Sequence, residues 1–180
     1  LIFFRINLYN NIMPVYLRYF EPVKKLGVGY DGRGTEIHVS DPILGEVRAS
    51  LENLGRRKDT RLVVICPGAT YSNKQWTTEG FVETARVLSA RPDTLVVMHG
   101  GRDDVALCRE IANRAGRNVI SLAGQLSLPG SAALFRFSRV VIANDSGMLH
   151  LAQSQKTPVV GIYGPTSKEL GFFPLPERSI

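Results

Sequence analysis

From Arg61 onward, short apolar runs alternate with segments whose apolar residues recur every three or four positions. The runs have the length and β-branched composition of strands that are covered on both faces, and the spaced segments are typical of helices with one buried face. The pattern predicts five strands, at about 62–66, 94–98, 119–122, 140–143 and 158–162. It predicts helices between them, at about 78–90, at about 103–115, from Ser127 as cap, and from about Ser146 to Ser154.

This alternation predicts an α/β fold, a Rossmann-like parallel sheet with helices on both faces. Ligands bind such sheets in the crevice beyond the carboxyl ends of the strands. Any binding or catalytic chemistry is therefore expected in the loops that follow the predicted strands.

Residues 1–60 show little periodicity apart from one helix predicted at about 43–55. Three glycines at 27–32 match the spacing of a dinucleotide-binding loop, but that motif requires a strand before it and a helix after it. Neither pattern is present there. We predict that residues 1–60 are an interdomain or linker region with a remnant of a preceding domain. Residues 61–180 are predicted to form the Rossmann-like domain, truncated at its carboxyl end.

The composition is that of a globular domain, since 44% of the 180 residues are apolar and 21% are charged. It excludes disordered, collagenous and coiled-coil proteins. No apolar run approaches the roughly 18 residues that span a bilayer. Two cysteines are too few for a disulfide framework, and no CxxC spacing is present, so we predict no metal site.

The net charge of +6 favours phosphate-bearing partners in general, whether nucleic acids, anionic lipids or nucleotides. The only compact basic run is Arg56-Arg57-Lys58. We interpret it as a solvated surface loop. A nucleic-acid-binding patch is not favoured, because no aromatic residues are interleaved with these charges, and no nucleic acid partner is expected.

The loop after the first predicted strand has the sequence PGATYSNKQW. Small residues, hydroxyls and Lys74 ahead of a helix suit a phosphate group, and Gly68 suits a close backbone approach. An ordinary loop with a solvated lysine is the alternative. Trp76 is interpreted as a core anchor at the start of the helix rather than as a platform for substrate.

The loop after the second predicted strand has the sequence HGGRDD. Its paired glycines suit a close approach of the backbone to a ligand. Capping of the following helix is expected for at least one of Asp103 and Asp104, because negative charge is favoured at a helix N-terminus. His99 is interpreted as a hydrogen-bonded histidine at the end of a strand rather than as a catalyst.

The segment NDSGMLH follows the fourth predicted strand. Asn144 or Asp145 is expected to cap the next helix, and the amides of Ser146 and Gly147 form an anion site at its positive end. His150 shares a helix face with Ser146, and burial of that face is an alternative. A Ser-His-Asp hydrolase triad is rejected, since GxSxG is absent and one helix turn rarely provides triad geometry.

The residues after the fifth predicted strand, YGPTS, form a turn that places Thr166 and Ser167 as possible ligand contacts. Together with this turn, the segments PGA…K-x-W, HGGRDD, SLAGQLSL, NDSGMLHLA and PVVGIYGPT occur in an order that resembles the bacterial heptosyltransferases, glycosyltransferase family 9. The resemblance covers about residues 62–167.

The resemblance implies one half of a GT-B glycosyltransferase, the carboxyl-terminal half that binds the nucleotide sugar. The implied reaction is an inverting transfer of heptose or a similar sugar from an ADP-sugar to a lipid-linked acceptor of the lipopolysaccharide core. No metal is implied, and the base is expected on an amino-terminal domain that this sequence does not match. A cytoplasmic location is implied, with peripheral contact with the anionic inner face of the inner membrane.

The resemblance also carries over residue roles. Lys74 and the amides of Ser146 and Gly147 are expected to contact the diphosphate. The other implied pocket residues are Ala69 and Ser72 lining the same pocket, Asp103 near the sugar, Leu126 against the base, Asp145 on a sugar hydroxyl or holding the loop, and His150. Two alternatives remain open: a nucleotide-binding module without transfer activity, and a GT-B nucleotide-sugar epimerase.

Overall fold

The computed structural model describes residues 13–164 and Gly171. The strands in this part of the chain are β1 (Arg61–Cys66), β2 (Thr94–Met98), β3 (Val119–Ser121), β4 (Val140–Asn144) and β5 (Val159–Ile162). The α-helices are α1 (Val15–Arg18), α2 (Asp41–Asn53), α3 (Thr78–Ser89), α4 (Val105–Ala115), α5 (Leu128–Arg136) and α6 (Gly147–Ser154). Short 3-10 turns occupy Glu21–Leu26, Ser72–Lys74 and Arg102–Asp104. None of the described helices is both long and apolar enough to cross a membrane.

Two of the predicted helix starts are confirmed by their caps. The hydroxyl of Thr77 accepts a hydrogen bond from the amide of Gly80, and the hydroxyl of Ser127 accepts one from Gly130. The helix predicted at about 103–115 begins later, at Val105. A tighter 3-10 turn precedes it, in which the Asp104 carboxylate accepts a hydrogen bond from the amide of Gly101.

The five strands are all parallel, in the order β3-β2-β1-β4-β5. β1 is central: Leu62 lies beside Leu95 of β2, and Val63 lies beside Val140 of β4. This arrangement confirms the parallel sheet predicted from the alternating pattern. It also sets which loops become neighbours, because all the carboxyl ends lie along one edge.

The core has two parts, one on each face of the sheet. Alternate residues of β1 point to opposite faces, so Leu62 and Val64 join the cluster with α2, α5 and α6, while Val63 packs with α3 and α4. The predicted stripe of α3 is confirmed, with Phe81 buried and packed in the second cluster. Helices therefore cover both faces, as the fold class requires.

The helix predicted at about 43–55 is present as α2, two residues earlier. Its buried residues Val47 and Leu51 pack into the cluster that also holds α5 and α6. The division of the chain at residue 60 stays a prediction. Thr166 and Ser167, predicted as ligand contacts, lie outside the described residues.

Candidate functional site

The order of the strands reverses between β1 and β4, whose carboxyl ends lie side by side. The helix after β1 packs on one face of the sheet, and the helix after β4 packs on the other. The two chain segments separate at this point and leave a crevice, which is where open α/β sheets bind ligands. The crevice is bordered by residues 67–77, called here the β1 loop, and by residues 145–146, called the β4 loop.

An ion pair joins the two loops across the crevice. Lys74 Nζ lies 2.7 Å from Asp145 Oδ2, and the two side chains are 26% and 4% exposed. The pair spans 71 positions of sequence. It places the predicted phosphate-binding cation at the mouth of the crevice. Of the two roles expected for Asp145, holding the loop is the one that this contact performs.

Asn144, at the end of β4, fastens both ends of the β1 loop. Its side-chain Nδ2 donates to the carbonyl of Pro67 at 2.6 Å, and its Oδ1 accepts from the amide of Trp76 at 3.1 Å. Asn144 is fully buried. The prediction that Asn144 or Asp145 caps α6 is wrong, because both side chains are engaged with the β1 loop. Sequence reasoning missed this role, since the partners are 68 and 77 positions away.

The N-terminus of α6 opens onto the same crevice without a side-chain cap. Ser146 is its N-cap residue, but its hydroxyl makes no cap hydrogen bond. That hydroxyl is buried and has no partner among the described residues. Gly147 is exposed, and nothing lies within 4 Å of the position that a β-carbon would take. Uncapped amides and an orphaned hydroxyl suit an anionic ligand. His150 is exposed on α6, so burial of its face is excluded.

A cavity of about 440 Å³ lies between the loops after β2 and β3 and reaches α6 at Met148. Its lining includes the predicted residue Leu126 together with Gly100, Gly101 and Ser131. Leu126 and Met148 are half-buried and offer apolar surface. The lining is mixed, since it also includes Arg102 and Gln125, and a cavity of this size is in the range of small-ligand sites.

The remaining predicted residues border these features less closely. Ala69 is half-buried in the β1 loop, where its carbonyl accepts a hydrogen bond from Gln75 Nε2 at 2.8 Å. Ser72 and Asp103 are exposed, and neither lines the cavity. The Trp76 ring is 42% exposed and meets Phe81 edge-on, with ring centroids 5.2 Å apart. It therefore anchors the start of α3 at the surface rather than in the core.

The position of Asp104 explains why two residues are glycine, where the sequence analysis had expected a close approach of the backbone to a ligand. A β-carbon on Gly68 or on Gly100 would clash with the Asp104 carboxylate. The glycines thus make room for a carboxylate that contacts the loops after both β1 and β2. In the sequence, the only signal for this contact is that two glycines and two aspartates lie close together in HGGRDD. The capping expected for the following helix is not made, because Asp104 is the N-cap residue of α4 but forms no side-chain cap hydrogen bond there. Its carboxylate caps the preceding 3-10 turn instead.

His99 is a buried, hydrogen-bonded residue at the end of β2, as predicted. One ring nitrogen, Nε2, lies 2.8 Å from the Ser131 hydroxyl, and Nδ1 lies 3.3 Å from the carbonyl of Leu122. Burial lowers the pKa of His99 from 6.5 to about 4, while the Leu122 contact acts in the opposite direction. The imidazole is therefore neutral at neutral pH and ties the loop after β3 to α5.

We expect this histidine to make the fold acid-sensitive. The unfolded chain binds a proton at His99 near pH 6.5, whereas the folded chain does so only near pH 4. The free energy of unfolding is therefore expected to fall by up to about 3 kcal/mol as the pH drops through this window. Denaturant titrations over the pH series check this with His99→Gln, which should flatten the slope. The exposed His150→Gln is the matched control, and an unchanged slope in His99→Gln would contradict the assignment.

The described residues offer neither an evident metal centre nor a reactive thiol. No group of three or more His, Cys, Asp and Glu side chains among them is placed to hold a metal ion. Both cysteines are buried and free, and burial raises the pKa of Cys108 to about 12 and that of Cys66 well above its usual value. The thiols are therefore protonated at neutral pH.

Known proteins match this chain along most of its length. The model of glycosyltransferase family 9 (heptosyltransferase) matches residues 14–177. Lipooligosaccharide heptosyltransferase 2 of Haemophilus ducreyi is 29% identical over 123 residues, which make up 64% of this chain and 35% of that protein. A family 9 glycosyl transferase from Veillonella parvula is 22% identical with a TM-score of 0.86, over 97% of this chain and 51% of that one.

The E. coli heptosyltransferase WaaC, solved with ADP-2-deoxy-2-fluoro heptose, superposes with a TM-score of 0.60 at 21% identity, over 88% of this chain and 45% of that one. The chain thus spans about half or less of the length of the proteins it matches. The solved structures confirm the expected fold, a Rossmann-like domain of the kind that forms one half of a GT-B glycosyltransferase. Because the family model covers most of the sequence, the chain belongs to glycosyltransferase family 9, the heptosyltransferase family.

Proposed function

We propose that this chain is the donor-binding domain of an inverting GT-B heptosyltransferase and that it binds ADP-heptose or a similar ADP-sugar. The observation that carries the proposal is the crevice between β1 and β4, where Lys74 and the uncapped N-terminus of α6 meet. In family 9, the WaaC structure was solved with an ADP-heptose analogue. The diphosphate is the part of such a donor that a cation and helix amides recognise.

The described groups fit two parts of the donor, the diphosphate and the nucleoside. Lys74 and the amides at the start of α6 face the diphosphate, and the unpartnered Ser146 hydroxyl donates to one of its oxygens. Asp145 holds Lys74 at 2.7 Å and so fixes the position of the cation before the ligand arrives. The cavity of about 440 Å³ lined by Leu126 and Met148 takes the nucleoside. This arrangement requires no metal ion.

The proposed reaction breaks the bond between the anomeric carbon and the diphosphate oxygen. A hydroxyl oxygen of a lipid-linked sugar attacks that carbon from the opposite side, and a base removes the hydroxyl proton. The electron pair of the broken bond leaves with the diphosphate, so negative charge grows beside Lys74 and α6. Fixed donors at that position lower the barrier without reorganisation, and losing one such donor typically costs about 10²–10³ in rate.

We propose that the base and the acceptor site lie on a part of the protein outside this sequence. The support is that the chain covers only 51% of the Veillonella parvula protein and 35% of the Haemophilus ducreyi protein that it matches. We further propose that the acceptor is the lipopolysaccharide core at the cytoplasmic face of the inner membrane. The support for this acceptor class is that the Haemophilus ducreyi relative is a lipooligosaccharide heptosyltransferase. On its own, this chain is expected to bind the donor rather than to transfer the sugar.

Calorimetric titration of the chain with ADP, UDP, GDP and CMP tests the proposal. We expect ADP to bind and the other three nucleotides to bind at least about 10-fold more weakly, since a shaped nucleoside cavity discriminates by 1.4 kcal/mol or more. A preference for UDP or GDP would contradict an ADP-sugar donor. If this chain binds ADP but the longer protein transfers no sugar, the chain is a nucleotide-binding module rather than part of a transferase.

A further inference from the structure

The basic run Arg56-Arg57-Lys58 lies at the edge of the sheet opposite the donor crevice. It follows α2 and precedes β1, so it sits at the amino end of the central strand. A turn fixes it, in which the amide of Arg57 donates to the Thr60 hydroxyl at 2.9 Å and the amide of Thr60 donates to the Arg57 carbonyl at 3.0 Å. The run is therefore held on the surface rather than trailing from it.

The fold turns this run into one wall of a cleft. A depression of about 400 Å³ is lined by Arg48, Glu52, Arg56, Arg57 and Lys58. Four of these five residues are basic, and only Glu52 is acidic. None of the four basic side chains takes part in an ion pair within residues 13–164. Their positive charge is thus left largely uncompensated around one cavity.

Two of the arginines are held close together by an aromatic ring from a distant segment. The guanidinium carbons of Arg48 and Arg56 lie over the Phe137 ring, 5.3 and 5.5 Å from its centroid. Arg56 Nη2 also donates to the carbonyl of Phe137 at 3.1 Å. These contacts tie both cations to the same ring, and burial together with the charge of Arg48 lowers the pKa of Arg56.

One of the arginines that line the cleft has a donor without an acceptor. Arg56 Nε is buried and lacks a hydrogen-bond partner among the described residues. A buried N–H of a guanidinium without an acceptor is costly, and an anion bound to the same guanidinium offsets part of that cost by neutralising its charge. Three other arginines also lie between a helix carboxyl end and a strand on this edge, as the run itself does after α2, but none of them lines the cleft. They are Arg91, Arg117 and Arg139.

We propose that this cleft is a phosphate-binding site, separate from the donor crevice, that takes the phosphate of a small molecule or of a lipid headgroup. Its converging guanidinium and ammonium groups match the oxygens of a phosphate or diphosphate. A nucleic acid is not favoured, because stacking of bases needs a free aromatic face and the Phe137 ring is already covered by two guanidinium groups. The site does not depend on the proposed donor function.

The test is a titration of the full chain with inorganic pyrophosphate at low salt. Binding is monitored through the NMR signal of the Arg56 Nε–H. The variant Arg56→Lys assigns that signal. We expect the signal to shift on titration, and we expect the double substitution Arg48→Gln with Arg57→Gln to weaken binding at least about 10-fold. Both replaced side chains are exposed, so folding should be retained.

The matched control is Arg91→Gln with Arg117→Gln, which removes the same charge from the same edge outside the cleft. Its affinity should stay within about 2-fold of the wild type. Equal weakening by both pairs would overturn the proposal in favour of diffuse charge. No shift of the Arg56 signal in the wild type would overturn it as well, whether or not pyrophosphate binds at Lys74. ADP binding at the donor crevice is measured in a separate titration. A negative result for one proposal therefore leaves the other one untouched.

Two further arms identify the source of the phosphate. Vesicles of phosphatidylglycerol mixed with phosphatidylcholine are compared with phosphatidylcholine alone by cosedimentation. If the wild type binds the anionic vesicles and the cleft variant does not, the ligand is a lipid headgroup. If pyrophosphate shifts the Arg56 signal but the vesicles do not bind, the ligand is a free phosphate compound. A single-stranded oligonucleotide that shifts the Arg56 signal at lower concentration than pyrophosphate would overturn the proposal and make the cleft a nucleic-acid contact.

Discussion

Replacing Lys74 with alanine is expected to lower both the affinity for ADP and the stability of the fold, for two separable reasons. The first is loss of a charge-assisted contact with the diphosphate, which is expected to weaken ADP binding about 10- to 100-fold. The second is that Asp145, whose side chain is 4% exposed, loses its partner. A buried carboxylate without a counter-charge is expected to lower the free energy of unfolding by about 1–3 kcal/mol, less than for a fully buried pair, because the lysine is partly exposed.

The double variant Lys74→Ala with Asp145→Asn separates these effects. Removing the stranded carboxylate is expected to restore most of the stability, as measured by denaturant unfolding, while ADP affinity stays low. Lys25→Ala, at an exposed lysine, is the charge-matched control and should change neither quantity. If the double variant regained ADP affinity, Lys74 would act only by supporting the fold. If the single variant bound ADP as the wild type does, the donor would lie elsewhere.

Replacing Asn144 with leucine is expected to have the other large effect. Asn144 is the only described residue whose side chain hydrogen-bonds both ends of the β1 loop, and leucine has a similar volume without polar atoms. The carbonyl of Pro67 and the amide of Trp76 would lose their partners. At about 1–3 kcal/mol for each unsatisfied group, we expect a loss of about 2–5 kcal/mol in the free energy of unfolding. We also expect weaker ADP binding, because the loop carries Lys74.

A double-mutant cycle shows whether Asn144 acts through Lys74. If Asn144 positions the loop, the effects of Asn144→Leu and Lys74→Ala on ADP affinity should not add, because Asn144→Leu already displaces Lys74 from the ligand. Thr157→Val is the matched control, since it removes a buried hydrogen bond to the carbonyl of Phe135 at the other edge of the sheet. That control should lower stability and leave ADP affinity unchanged. Additive effects of Asn144 and Lys74 would mean that Asn144 serves only folding.

The order of elements was predictable because its signals are local. The run at Thr94–Met98 matches its predicted bounds, since five consecutive apolar or β-branched residues have few alternatives in a parallel sheet. The caps at Thr77 and Ser127 were predictable because a cap and its target amide lie three residues apart. The start of α4 was missed because Asp104 turns its carboxylate back to Gly101 and tightens the first turn.

Parts of the candidate site were also visible in the sequence, but their relations were not. The segment NDSGMLH and Lys74 each indicate an anion, yet nothing local shows that Asp145 pairs with Lys74 across 71 positions. The same holds for Asn144, where local reasoning predicted a helix cap. The side chain instead serves a neighbouring loop, because the sheet order brings the ends of β1 and β4 together.

The sequence by itself determined the alternating elements, the fold class and the family, because periodicity, caps and motifs each depend on residues that are close together in the sequence. The tertiary structure alone decided which loops meet, which glycines make room for Asp104, and how Phe137 comes to lie beneath Arg48 and Arg56. The physical reason is that strand order and helix packing are set by long-range burial of apolar surface. Contacts between residues far apart in the chain follow from that packing and leave no local trace in the sequence.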